Sequence, residues 1–84
     1  LFDEIDRRFG GAIDIVVNNA GAGDPAPLTE TSTEAWDAQF AINARAMFLM
    51  SREAARRMVP RGAGCIINIS SLAGLRGLAG FSAY

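Results

Sequence analysis

The sequence contains no histidine and no lysine, and only one cysteine, one tyrosine and one tryptophan. Without histidine there is no Cys/His zinc site, and with Cys65 alone there is no internal disulfide. Cys65 lies in an apolar run and is expected to be a small core residue, its free thiol fitting a reducing, cytoplasmic setting. The eight basic residues, all arginine, are met by nine acidic ones, and a net charge of −1 gives no electrostatic footprint for nucleic acid. No apolar run approaches the roughly 18 residues that mark a membrane-spanning helix. The first residues, Leu1-Phe2-Asp3-Glu4, lack the basic patch and apolar core of a signal peptide, and there is no initiator methionine. The start falls inside a helical pattern and the end at the opening of another, so residues 1–84 are expected to be an internal piece of one domain. A chain this short buries a small share of its surface, and nothing here staples it.

What is present is an alternation of helical and strand patterns. Leu1, Phe2, Ile5 and Phe9 share a helical face, and Gly10-Gly11 supplies a stop. Residues 12–17, "AIDIVV", read as a strand buried on both faces, as in a parallel sheet. "NNAGAGDPAP" is loop. Thr31 and Glu34 have the spacing of a capping box that opens a long helix running to about Val59. Trp36, Phe40, Ala44, Met47, Phe48, Ser51, Ala55 and Met58 form its apolar stripe, expected to face the core, while Arg52, Arg56 and Arg57 lie off it. Pro60 and Gly62 end the helix, and residues 65–69, "CIINI", read as a second buried strand. Strand, helix and strand in this order make a right-handed crossover with parallel strands. The predicted class is α/β, part of a Rossmann-type doubly wound parallel sheet.

Ligands in such sheets bind beyond the carboxyl ends of the strands. The first strand runs there into Asn18-Asn19-Ala20-Gly21 and the second into Ser70-Ser71. Asn43 interrupts the long helix among apolar neighbours, and a buried amide needs partners. Gly74, Gly77 and Gly80 do not form G-x-G-x-x-G, so they are read as shaping a loop rather than cradling phosphate.

"NNAG" at 18–21, Asn43, "NISS" at 68–71 and a tyrosine thirteen residues past Ser71 together resemble the short-chain dehydrogenase/reductase family. The resemblance runs in order along essentially the whole chain. It implies an oxidoreductase that moves a hydride between a nicotinamide cofactor, NAD or NADP, and a small-molecule carbonyl or alcohol, with no nucleic-acid or membrane partner. Carried over position by position, it implies that Tyr84 and Ser71 are catalytic and that Asn43 is the structural and proton-relay asparagine. Asn19, Ala20 and Gly21 would flank the cofactor's ribose, with Ile69 near the nicotinamide ribose and Asn18 bracing the sheet. The family's glycine-rich phosphate loop and the lysine four residues after its tyrosine have no counterpart in these 84 residues, so the piece by itself is expected to be inert. The resemblance also implies a homo-oligomeric parent, dimer or tetramer, assembled through the long helix. The reading from a different class is a module that keeps the fold and binds or regulates without turnover. The loop at 22–30 is expected to shape the substrate pocket.

Overall fold

A computed structural model describes all 84 residues. Helix α1 spans Phe2–Phe9 and stops at Gly10, which adopts the left-handed conformation at φ 62°. Strand β1 (Ile15–Asn18) follows, then a single 3-10 turn at Leu28–Glu30. Helix α2 (Thr33–Phe40) passes through a π-helical turn at Ala41–Arg45 into helix α3 (Ala46–Met58). Strand β2 (Cys65–Asn68) lies parallel to β1, with Ile15 opposite Cys65 and Asn18 opposite Asn68. The helix–strand–long helix–strand order and the parallel pairing are those expected from the sequence.

The strands are shorter than their apolar runs. Ala12, Ile13 and Asp14 precede the strand, although the Asp14 carbonyl still accepts from Cys65 N at 2.9 Å: Ile13 turns into the core, and its carbonyl and the Asp14 carboxylate are both taken by Arg61, at 2.9 and 2.7 Å. At the other end Ile69 leaves the ladder but its N–H still donates to the Asn18 carbonyl at 3.0 Å.

Three further expectations are corrected. The helix cap is Ser32, whose Oγ accepts from Ala35 N at 3.1 Å. The Thr31 hydroxyl is already engaged, donating to the Pro27 carbonyl across the preceding turn at 3.0 Å. Glu34 remains in the first turn, where a carboxylate complements the helix dipole.

Second, the strands are covered on one side only. Val16 and Ile66 pack against the cluster of Ile13, Ala54 and Met58, joined by Phe2 and Ile5 from α1. Ile15, Val17, Ile67 and Ile69 are exposed, and so is Cys65, which these 84 residues leave outside their core. The 84 residues bring one helical layer to the pair of strands and leave the other face bare. Only six residues are buried and no large side chain is fully so. The radius of gyration, 16.0 Å, exceeds the roughly 12 Å of a compact domain this long.

Third, the long helix does not turn its aromatic residues inward. Trp36 and Phe40 stack at 4.7 Å between ring centroids on the outside, and Phe48 is exposed beneath the Arg52 guanidinium. The inward positions are Gln39, Asn43, Met47, Ser51, Ala54 and Met58. Polar residues point in because the loop after β1 and the asparagine pair in the sheet present polar groups to this side of the helix.

Charge ties the elements at the opposite end from the loops. Arg57 donates to both carboxylate oxygens of Asp6, lies over the Phe2 ring and also reaches Glu53. Those hydrogen bonds hold the Asp6 carboxyl below the usual carboxylate range. No helix is long and apolar enough to cross a membrane.

Candidate active site

The carboxyl ends of β1 and β2 open into a cleft of about 780 Å³. Its floor is fixed by an asparagine pair. Asn18 is buried, and its Nδ2 donates to Asn68 Oδ1 at 2.8 Å and to Ser51 Oγ at 3.0 Å. Asn18 therefore binds the two strands to each other and to α3, the bracing position expected for it. With this register set, the residues after both strands leave the sheet at one rim.

Beyond that rim the chain holds its loops with side-chain amides. Asn43 Nδ2 donates to the Ala22 carbonyl at 2.7 Å, and Asn43 Oδ1 accepts from Ala22 N at 2.9 Å. The asparagine sits in the π-helical turn, where the widened backbone departs from regular α-helix. Gly21 runs beneath it: a Cβ there would lie 3.1 Å from Asn43 Oδ1, tighter than ordinary contact.

The last segment closes the far wall. Ser71 Oγ accepts from Ala73 N at 3.2 Å, capping a short turn at Leu72–Gly74. Past the glycine-rich stretch, Ala26 N donates to the Gly80 carbonyl at 2.8 Å, and Ala26 and Phe81 form a parallel bridge. Phe81 and Tyr84 meet edge to face, centroids 5.7 Å apart. A Cβ at Gly23 would lie 3.1 Å from the Phe81 ring and 3.2 Å from that of Tyr84, so any side chain there would crowd both rings and make them give by a few tenths of an ångström.

Asn19, Ala20, Gly21, Asn43, Ile69, Ser71 and Tyr84 all line this one cleft. They come from four separate stretches of chain, and the parallel pairing brings all seven together. Met47, Leu78 and Phe81 add an apolar wall that the sequence reading left out, and Ser70 lines the cleft beside Ser71. Phe81 could have been found from its position three residues before Tyr84. Gln39, buried one helical turn before Asn43, carried no such signal because glutamine is ordinary on a solvated helix face.

The model of the short chain dehydrogenase family matches residues 1–84, the whole length. The chain belongs to the short-chain dehydrogenase family. A short-chain type dehydrogenase/reductase of Picea abies is 52% identical over 73 residues, covering 84% of this chain and 27% of the relative. L-xylulose reductase of Bos taurus is 43% identical over 86 residues, 99% of this chain and 35% of that protein. The crystal structure of a gluconate 5-dehydrogenase from Burkholderia cenocepacia J2315, in complex with NADP and tartrate, superposes with a TM-score of 0.92 at 38% identity, over 99% of this chain and 32% of that one. This short-chain dehydrogenase chain thus spans about a third of the length of the relatives it matches.

Proposed function

We propose that residues 1–84 are part of the NAD(P)-binding domain of an oxidoreductase that transfers a hydride between a nicotinamide dinucleotide, NAD or NADP, and a small carbonyl or alcohol substrate. The observation that carries this reading is the convergence of Asn19, Ala20, Gly21, Asn43, Ile69, Ser71 and Tyr84 on one cleft at the carboxyl ends of two parallel strands. The fit to a dinucleotide rests on the small residues Ala20 and Gly21, which leave backbone open to close approach beside Asn43. Asn19, Ala20 and Gly21 would hold the ribose side of the cofactor, with Ile69 beside them.

The cofactor supplies the hydride-transfer chemistry itself. The protein's part is the proton and the developing charge on the substrate oxygen. In reduction the Tyr84 hydroxyl donates a proton to that oxygen; in the reverse direction the tyrosinate accepts it. The Ser71 hydroxyl donates a second hydrogen bond to the same oxygen and stabilises its charge. Asn43 holds the Ala22 loop and offers the helix's widened turn for proton exchange with water.

The test uses the full-length parent protein with each reduced cofactor and a panel of ketones, sugars and β-keto thioesters. Consumption of reduced nicotinamide that depends on the carbonyl compound supports the reading. Cofactor binding without turnover on any carbonyl or alcohol would favour a binding module instead. The 84-residue piece alone is expected to give no turnover.

The outward stripe of Trp36, Phe40 and Phe48, exposed at 40%, 45% and 60%, is the surface on which the parent would assemble with further copies of itself. Sedimentation of the parent and of its Phe48→Glu variant checks this. The parent should run as a dimer or tetramer and the variant as a smaller species.

A further inference from the structure

Gln39 is 5% exposed, one helical turn before Asn43 on the inward side of the long helix. Its Nε2 donates to the Asp24 carbonyl at 3.4 Å, and its Oε1 is buried with no partner. Burying an amide whose carbonyl oxygen has no partner carries a cost that an aliphatic side chain of the same length would not. The contact to Asp24 is what the amide has in return. Asn43 takes Ala22 and Gln39 takes Asp24, so two amides one turn apart hold the loop on either side of Gly23. Gly23 is the residue pressed against the rings of Phe81 and Tyr84, and Ala26 just beyond it is bonded to Gly80.

We infer that Gln39 is a positioning residue: through Asp24 it sets the loop at 22–26 against the Phe81–Tyr84 wall and so fixes the width of the cleft where the substrate enters. It touches neither the cleft nor Tyr84 itself and acts only through the loop. The inference rests on the cleft's being the substrate site, but its first readout does not depend on turnover.

Gln39→Met keeps the volume and removes both polar groups; Gln39→Glu keeps the shape and removes the N–H donor. Hydrogen exchange is followed in the full-length protein at the Ala22 and Ala26 amides, with the Val16 and Ile66 strand amides as internal reference. Loss of one neutral hydrogen bond corresponds to about a five- to tenfold change in a local opening equilibrium, so exchange at Ala22 and Ala26 should rise by that factor in Gln39→Met and by more in Gln39→Glu, whose carboxylate oxygen would face the Asp24 carbonyl. The strand amides should not change. In steady-state kinetics KM for the carbonyl substrate should rise about three- to tenfold, with kcat within about twofold and cofactor affinity unchanged. Unchanged exchange at 22–26 overturns the inference, and so does a rise shared equally by the strands, which would make Gln39 ordinary packing. A parent that shows no turnover on any substrate defeats the oxidoreductase reading alone; the exchange pattern still decides the role of Gln39.

Discussion

Asn43 grips Ala22 by both backbone groups, donating to its carbonyl at 2.7 Å and accepting from its N–H at 2.9 Å. One side chain in the middle of a long helix thereby acts as a short strand edge for a loop about twenty residues upstream. Replacing Asn43 by Ala removes both bonds at once. In the full-length protein this should lower stability by about 1–2 kcal/mol, read from the denaturant midpoint, and lower turnover further than the stability loss explains. Asn43→Asp should be worse than Asn43→Ala, because the carboxylate oxygen replacing Nδ2 would face the Ala22 carbonyl.

Asn18 is the only residue that bonds to both the other strand and α3, through Asn68 and Ser51. Asn18→Ala should cost about 1–3 kcal/mol, since it leaves the Asn68 and Ser51 polar atoms without this partner in a partly buried place. The expected sign of a structural role is a lowered melting temperature with KM for both substrate and cofactor little changed in the protein that remains folded.

A Cβ at Gly23 would crowd the rings of Phe81 and Tyr84, at 3.1 and 3.2 Å. Gly23→Val should push the loop away from the two rings and raise KM for the carbonyl substrate about tenfold or more, with a smaller effect from Gly23→Ala. Steady-state kinetics on the two variants, in the parent protein, give the comparison.

The Asp6–Arg57 pair makes one contribution to stability dependent on pH. Arg57 lowers the folded-state pKa of Asp6 below its unfolded value near 3.8. The carboxylate therefore stabilises the fold above that value and loses the contribution as pH falls through the lower, folded value. The stability gap between wild type and Asp6→Asn should be constant from neutral pH to about 5 and should close below about 4. A gap that widened on acidification would contradict this. Both side chains are partly open to solvent and exposed pairs contribute little, so salt should shrink the gap.

Much of this arrangement is legible in the letters, for identifiable reasons. "AIDIVV" and "CIINI" are too short and too β-branched for helices, and a helix between them forces the parallel pairing that brings Ser71, Tyr84 and "NNAG" to one rim. Which side of the helix faces in is only partly legible: Met47, Ser51 and Met58 of the expected stripe point inward, but Gln39 and Asn43 take the inward places earlier in the helix while Trp36, Phe40 and Phe48 point out. The tie between Asn43 and Ala22 also escapes a pattern reading, since it depends on a π-helical turn that no residue spacing announces. The choice of Ser32 over Thr31 as cap is a shift of one residue between two good caps, decided by the turn at Pro27 that engages Thr31 first. Ile15, Val17, Ile67 and Ile69 have the composition of strands covered on both faces, while one crossover helix can cover only one, so a bare face on these 84 residues is legible too. For that reason the isolated 84 residues should show no cooperative thermal unfolding well above room temperature.

The role proposed for the Tyr84 hydroxyl is to carry the proton for hydride transfer in the cleft it shares with Ser71. The most direct measurement is single-turnover hydride transfer by the full-length protein and its Tyr84→Phe variant, with bound cofactor and a carbonyl substrate. Positioned general acid catalysis contributes about 10²–10⁴-fold, so the variant should lose that much rate while cofactor affinity stays within about twofold. A Tyr84→Phe protein that transfers hydride within a few-fold of the wild-type rate would rule out that role for Tyr84.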